Sequence, residues 1–592
     1  MEYRWMMYSK KADFNQISEQ FHIDPVLARI IRNREVIEEE AIQEYLQPDI
    51  SCLYSPWYLK DMEEAVGIIL DKILLSHKIR IISDYDVDGV MSNYILYKGL
   101  LRAGADVDYE IPDRVQDGYG INEAMIDRAQ EAGINTIITC DNGIAACSAI
   151  QHAKELGLTV IVTDHHEVPF EEIDGEKQYV LPDADAVVDP KREDCNYPLP
   201  EICGAAVAYK LIEGVYERKG IDKQELYPFL EFVAMATICD VMPLLDENRC
   251  FVKLGLDMLN HTTNEGMKAL LVVNDLQDKL ISEHQVGFVL GPCINATGRL
   301  ESAMLSMQLL LTEEKSEAME LARQLYELNE ERKALTLEYT EKAYALVEQN
   351  GMQQDKVLVI YLENCHESIA GIIAGRVRER YYRPVLVLCD AGEDMVKGSG
   401  RSIEEYHMYD ALNACQDYLV KFGGHAMAAG FSLLKENIEI LRQALNEQCP
   451  LAAEEMLPTI MVDVPMPIDY ISFDFVSQLE LLKPFGKANE KPLFAQTQLK
   501  VLSAKVLGKN ANVLKLTFES VSGTRMEGVY FEVDAFLDDI KKWFGADECD
   551  QMLHGWLNTV VLDVAYYPTI NEFNGVQTLQ LNVKYYRKHE ET

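Results

Sequence analysis

Long apolar runs are missing from this chain. No stretch of about 18 apolar residues occurs, which argues against a transmembrane helix. The first residues, MEYRWMMYSKKADFNQ, lack the apolar centre and small-residue cleavage site of a secretory signal. Paired cysteines are missing too. The 13 cysteines are scattered singly and none forms a CxxC. That disfavours a thiolate zinc site or a disulfide framework and favours free thiols in a reducing compartment, so a cytoplasmic location is expected. Positive charge is scarce: 55 Lys and Arg face 97 Asp and Glu, for a net charge of −42. Binding to nucleic acid driven by overall charge is thereby disfavoured. A nucleic-acid ligand would need a local basic channel, or metal ions that supply the positive charge. Internal repeats and low-complexity tracts are also absent.

What is present fits a soluble globular protein. The 592 residues suggest about three or four domains. Residues 1–64 read as short helices joined by proline-containing connections at Gln47-Pro48 and Ser55-Pro56. From 65 to 311 strands alternate with helices. Strand candidates lie at 79–83, 136–140, 158–163 and 186–188, with helices at 90–103 and 145–156. That alternation predicts a parallel sheet. Residues 312–350 lack Gly and Pro and carry Leu321, Leu325, Leu328, Leu335 and Tyr339 near helical spacing, which predicts a long connecting helix. Residues 351–452 form a second α/β segment, with strands at VLVIY and PVLVLCD. Residues 453–592 are strand-rich and predict a small barrel or sandwich.

The polar residues cluster where a parallel sheet places its sites, beyond the C-terminal ends of the strands. Asp84, Asp86 and Asp88 follow the first strand, Asp141 the second, and Asp164, His165 and His166 the third. The spacing of Asp84, Asp86, Asp88 and Gly89 also opens a calcium-binding EF-hand loop. The twelfth position is Ile95 rather than Glu, and a strand rather than a helix precedes it, which disfavours that reading. Asp141-Asn142-Gly143 alone would be a tight turn, and two adjacent histidines alone mean little. Together, carboxylates and imidazoles on one sheet edge suit Mn²⁺ or Mg²⁺. Shared carboxylates permit two ions about 3.5–4 Å apart, the arrangement used in phosphoryl transfer.

These motifs resemble those of the DHH phosphoesterase superfamily: Asp86-Val87-Asp88, Asp141-Asn142-Gly143, Asp164-His165-His166 and the segment Ala236 to Leu244 with Asp240. Gly423-Gly424-His425-Ala426-Met427-Ala428-Ala429-Gly430 resembles the GGHxxAAG motif of its associated DHHA1 domain. Within the superfamily the chain is similar to the RecJ family. Further matches are Tyr209-Lys210-Leu211, Ile294 to Arg299, Leu328 to Lys333, Gly398 to Ser402 and Pro484 to Phe494, in family order over nearly the whole length.

The resemblance implies a fold and an activity. The fold would be α/β: a parallel-sheet DHH domain, a long connecting helix, a DHHA1 domain and a C-terminal β-rich OB-fold. The activity would be 5′→3′ exonucleolytic hydrolysis of single-stranded DNA in repair and recombination, with two Mn²⁺ or Mg²⁺ ions. It implies metal ligation by Asp84, Asp86, Asp88, Asp141, His165 and Asp240. Asp164 would orient its neighbours and His166 would contact the scissile phosphate. Substrate binding falls to Arg114, Asn295, Arg299, Ser399, Arg401, Gly424 and His425. Partners implied are single-stranded DNA, with a helicase and a single-strand-binding protein, and no membrane. Arg376, Arg378, Arg380, Arg383, Lys397 and Arg401 lie close in sequence and are candidates for the basic surface. In the OB-fold, Lys505, Lys509, Lys515 and Phe518 are candidate strand contacts. Asp189 is not taken as a ligand, because the family commonly has Asn there. The chain departs from the family at Cys293, Thr297 and Ala206 and over Cys365 to Gly371. Two other readings stand beside this one: a DHH phosphodiesterase for oligoribonucleotides or cyclic dinucleotides, which usually lacks the C-terminal extension, and a non-catalytic single-strand-binding scaffold, which often loses the motif carboxylates present here.

Overall fold

The computed structural model describes residues 3–113, 120–173, 176–392, 394–508 and 510–590. Two compact units form. One comprises Tyr54–Met242 and Leu254–Pro458; the other comprises Tyr3–Leu53, Pro243–Lys253 and Thr459–Thr592.

Among the described residues, the first unit holds two five-stranded sheets and a two-stranded hairpin. Five parallel strands make the first, in the order Asp106–Glu110, Lys78–Ser83, Thr136–Cys140, Thr159–Thr163, Ala186–Val188. The interior strand Thr136–Cys140 is buried throughout, as a sheet covered on both faces requires. Sequence periodicity missed the edge strand Asp106–Glu110. It is half exposed and carries charge, which erases alternation. Its Asp108 and Glu110 pair with Arg80 on the neighbouring strand at 2.8 and 2.9 Å. A hairpin, Phe170–Ile173 with Glu176–Tyr179, was also missed.

From strand Lys78–Ser83 the chain crosses to Asp106–Glu110 on one side. From Thr136–Cys140 it crosses to Thr159–Thr163 on the other. The switch point therefore lies between Lys78–Ser83 and Thr136–Cys140, and a crevice opens beyond their C-terminal ends.

Helix Lys315–Gln349 runs 35 residues, about 50 Å at 1.5 Å per residue. It leads to the second, mixed sheet, ordered Lys421–Gly424, Ala428–Leu434, Met395–Arg401, Val385–Asp390, Leu358–Leu362. Only the last two strands run parallel.

The second unit is a closed five-stranded barrel. Strands Phe494–Leu507, Val513–Glu519, Arg525–Tyr530, Val576–Lys588 and Val561–Phe573 pair in that order, and Phe494–Leu507 closes on Val561–Phe573. Closure removes the sheet edges. Leu514, Leu516 and Phe518 alternate into its core and are fully buried. Phe518 is thus a core residue and not a strand contact. Lys515 points outward and pairs with Glu527 at 2.7 Å. Lys505 is exposed, and Lys509 lies outside the described residues. Helices Phe14–Phe21, Pro25–Asn33 and Glu39–Leu46 belong to this unit, together with a strand that the sequence did not announce: Arg4–Met7 pairs in parallel with Thr459–Val462.

Candidate functional site

The switch-point crevice gathers the carboxylates. Asp84 directly follows strand Lys78–Ser83, and Asp86 caps helix Val87–Arg102 by accepting from the Gly89 N–H at 3.1 Å. A Cβ at Gly89 would collide with the Asp84 carbonyl, so this turn demands glycine. Asp88 sits buried in the first turn of that helix. Its two oxygens accept from the Gly204 and Ala205 N–H groups, each at 2.7 Å, at the start of helix Gly204–Lys219. Sequence reasoning assigned no role to those two N–H groups; a Gly opening a helix was the available signal.

Asp141 follows strand Thr136–Cys140 with φ at +59°, a left-handed backbone uncommon for a non-glycine residue. Its neighbours hold that conformation. The Asn142 side-chain amide donates to the carbonyls of Ile82 and Cys140 at 3.2 and 3.0 Å. A Cβ at Gly143 would lie 2.5 Å from Thr139 Oγ1. The turn reading and the site reading of this tripeptide are compatible, because the turn aims the Asp141 carboxylate at the crevice.

His165 and His166 diverge. His165 is buried, with Nε2 3.0 Å from Asp141 Oδ1, 3.4 Å from Asp88 Oδ2 and 3.8 Å from Asp240 Oδ2. His166 is 44% exposed at its side chain, and its Nδ1 lies 2.7 Å from Asp164 Oδ1. Asp164 is fully committed: Oδ1 also accepts from the N–H groups of His165 and His166, and Oδ2 from Ile144 N–H.

The electrostatics follow from this packing. Burial, then the charges of Asp240 and Asp86, push Asp88 well above the ordinary carboxylate range. Burial, then Asp88, Asp86, Asp84 and Asp240, do the same to Asp141. Burial, with His166 beside it, holds His165 neutral, its pKa down to about 3. Burial opposes the His166 imidazolium, but the Asp164 hydrogen bond and charge win and raise its pKa to about 9. Asp189 is fully buried, and burial followed by Asp164 raises it to about 8.

Like-charged carboxylates packed out of water are relieved either by protonation or by a cation, and the cluster offers a cation many oxygens. Among the described residues, three groups have donor atoms within 4.8 Å of one another: Asp84, Asp86 and Asp141; Asp88, His165 and Asp240; Asp141, His165 and His166. Asp141 belongs to two of them. The donor set is carboxylate oxygen with imidazole nitrogen, which fits Mn²⁺ or Mg²⁺.

One prediction follows from the sign of these shifts. Asp88 and Asp141 retain protons in the folded metal-free protein where the unfolded chain has lost them. The folded state then binds more protons, so its stability falls as pH rises above the ordinary carboxylate range of about 4. Mn²⁺ competes with those protons. Thermal melts should show a midpoint that declines with pH in EDTA, and a Mn²⁺-induced increase that grows with pH. A Mn²⁺ effect independent of pH would show that this cluster does not hold the ion.

The remaining predicted residues divide. Asn295 Oδ1 accepts from Val87 N–H at 3.1 Å, so it braces the carboxylate turn. Arg299, on the same helix, Gly291–Leu300, donates to the Ser368 carbonyl at 2.6 Å, at the start of helix Glu367–Tyr381. Ser399 and Arg401 share strand Met395–Arg401, and Arg401 Nη1 donates to Ser399 Oγ at 3.2 Å and to the Gly400 carbonyl at 2.7 Å. A Cβ at Gly371 would lie 2.6 Å from Arg401 Nη2, so that glycine lets helix Glu367–Tyr381 approach. Gly424 has φ at +146° and, with exposed His425, turns the chain from Lys421–Gly424 into Ala428–Leu434. Arg114 lies outside the described residues.

The supposed basic surface is smaller than its sequence. Arg380 pairs with Glu348 at 2.9 Å and Lys397 with Glu367 at 2.8 Å. Arg383 is spent on the carbonyls of Tyr381, Tyr382 and Met456. Arg378 lies 3.8 Å from Glu379 and donates to the Ser402 carbonyl at 3.3 Å, which leaves Arg376 and Arg401. Arg332 on the long helix joins them: burial and then the charge of Arg376 lower its pKa. Among the described residues, no carboxylate lies within 4.0 Å of Arg332, Arg376 or Arg401.

Comparison with known proteins agrees with this architecture. Family models match residues 78–237 (DHH family, N-terminal domain), 354–450 (DHHA1 domain) and 462–585 (RecJ OB domain). The single-stranded-DNA-specific exonuclease RecJ of Bacillus subtilis is 36% identical over 523 residues, covering 88% of this chain and 64% of that longer protein. The RecJ of Salmonella typhimurium is 31% identical over 586 residues, covering 94% of this chain and 95% of the relative. The crystal structure of RecJ in complex with Mn²⁺ from Thermus thermophilus superposes with a TM-score of 0.81 at 25% identity, covering 99% of this chain and 80% of that one.

Proposed function

The chain belongs to the RecJ family, whose named members are single-stranded-DNA-specific exonucleases, and from that premise we propose that it removes 5′-mononucleotides stepwise from the 5′ end of single-stranded DNA. The observation that carries this reading is the switch-point cluster, with every motif carboxylate and both histidines brought together. Asp84, Asp86, Asp88, Asp141, His165 and Asp240 would hold Mn²⁺ or Mg²⁺, and when bound the ions would supply a hydroxide-like nucleophile and offset charge on the departing oxygen. Burial keeps His165 neutral and available as a donor ligand. Asp164 fixes the His166 ring and keeps it protonated, so His166 offers a charged N–H to a phosphate oxygen at the mouth of the crevice. Retention of all these side chains disfavours the scaffold reading, and the barrel disfavours a small cyclic substrate.

Arg332, Arg376 and Arg401 supply the local positive charge that the overall composition denies. Their crowding is relieved by a polyanion. The 5′ phosphate would be held by Arg401 with Ser399, and the turn at Gly424-His425 would lie against it. All thirteen cysteines are free thiols, and among the described residues no helix is long and apolar enough to cross a membrane. A reducing cytoplasm suits both facts.

The test uses single-stranded DNA labelled at either end, with Mn²⁺. Immediate release of a mononucleotide from the 5′ label, with gradual shortening of the 3′-labelled strand, is expected. Shortening from the 3′ end would refute the polarity. Arg401→Ala should lower kcat/KM on 5′-phosphorylated strands by about 10- to 100-fold, the value of one charge-assisted phosphate contact. It should act weakly on 5′-hydroxyl strands. Equal effects on both substrates would remove Arg401 from the end pocket.

A further inference from the structure

Helix Gly291–Leu300, which carries Asn295 and Arg299, extends backward through an irregular turn. Residues Val286–Leu290 form a π turn, closed by the Gly291 N–H on the Val286 carbonyl five residues earlier. Such turns mark functional positions in helices. This one is fastened to the segment that delivers Asp240. A Cβ at Gly287 would lie 3.5 Å from Ile238, a Cβ at Gly291 would collide with Cys239 Sγ, and that thiol approaches the Val286 carbonyl at 4.0 Å. The turn therefore sits against the two residues that precede Asp240.

The turn also presents Phe288 to solvent, 70% exposed, with the His284 ring beside it at 4.9 Å and 33°. Asn295 and Arg299 are four residues apart and share one face, and Phe288 precedes them on the same helical stretch, rotated from that face by the π turn. The stretch has direction. Arg299 touches the second α/β domain, Asn295 braces the carboxylate turn, and Phe288 lies about 10 Å beyond Asn295 at 1.5 Å per residue.

We propose that Phe288, backed by His284, is a stacking platform for a base on the 3′ side of the scissile phosphate, beyond the nucleotide that directly follows it. This rests on the exonuclease reading above, in which the 5′ end lies toward Arg401. A strand held there and cut at the carboxylate cluster continues along this helix toward its start, where Phe288 stands. An aromatic ring stacks on any base, because every base has a π face, and so it suits an enzyme that must accept all sequences. The surroundings favour a base over a protein partner. Glu283, His284 and Gln285 flank the ring with polar groups, so it is one exposed aromatic and not a broad apolar patch.

The test compares wild type, Phe288→Ala and Phe288→Trp on two 5′-phosphorylated substrates, a dinucleotide and an oligonucleotide of about 20 residues. On the longer strand, Phe288→Ala should raise KM by about 10- to 100-fold with little change in kcat, and Phe288→Trp should restore it. On the dinucleotide, too short to reach the ring, the variants should match wild type within about twofold. A single abasic residue at one position of the longer strand should reproduce the defect in wild type and add nothing to Phe288→Ala. An equal loss on the dinucleotide would assign Phe288 to support of the Asp240 segment and overturn the proposal, as would no loss on the longer strand. Equilibrium binding of the longer strand separates the two readings. A wild type that binds without cutting refutes the exonuclease, while the affinity contrast at Phe288 still decides the platform.

Discussion

Replacing Asp141 with Asn is expected to lower exonuclease turnover by about a thousandfold or more, with the fold intact. Asp141 is the carboxylate common to two donor groups, and its Oδ1 also lies 3.0 Å from His165 Nε2. Loss of its charge therefore weakens both halves of the cluster at once. Asparagine is chosen because it keeps the side-chain volume against Gly204 and tolerates the left-handed backbone at φ +59°. Alanine would add backbone strain of about 1 kcal/mol and blur the result. Single-turnover release of 5′-labelled mononucleotide measures the loss, and circular dichroism with a thermal melt verifies the fold. Activity within tenfold of wild type would remove Asp141 from the metal site.

The largest expected effect on stability lies in the second unit. Arg249 is 1% exposed and donates to the carbonyls of Tyr45, Leu481, Leu482 and Lys483 at 2.8–3.1 Å, with Pro484 at 3.5 Å. Its guanidinium also stacks on the Tyr45 ring at 3.8 Å. One side chain thus ties helix Glu39–Leu46 to the 481–484 turn. Arg249→Met keeps the aliphatic stem but strands several buried acceptors, each costing about 1–3 kcal/mol when unsatisfied. Partial rehydration limits the total, and a loss of about 3–5 kcal/mol is expected. Urea unfolding followed by tryptophan fluorescence reports it. A change below about 1 kcal/mol would mean that the carbonyls find water or other donors at little cost.

Much of the fold was legible. Alternation of apolar strands with helices announced the parallel sheet, and the Gly- and Pro-free run announced the long helix. Both signals are local and periodic. The elements that were missed lack such a signal. Asp106–Glu110 is a charged edge strand, and Arg4–Met7 is a four-residue strand whose partner begins at Thr459. Phe518 was misread because its lysine neighbours drew attention from the period of two shared by Leu514, Leu516 and Phe518, which turns all three into the barrel.

By itself the sequence placed the strand-end groups, Asp84 to Asp88, Asp141 and Asp164 to His166, at the crevice, because a parallel sheet delivers the residues after its strands to one edge; Asp240 follows helix Leu230–Cys239 and entered through the motif resemblance alone. Only the tertiary structure decided which cations remain available and which residues brace the site. Arg380 and Lys397 drop out because Glu348 and Glu367 come to meet them, while Arg332 joins from another helix. Asn295 braces Val87 from 208 residues away. Periodicity reports the face a residue occupies within its own element. It carries no information about the side chain that another element, hundreds of residues distant, brings against that face.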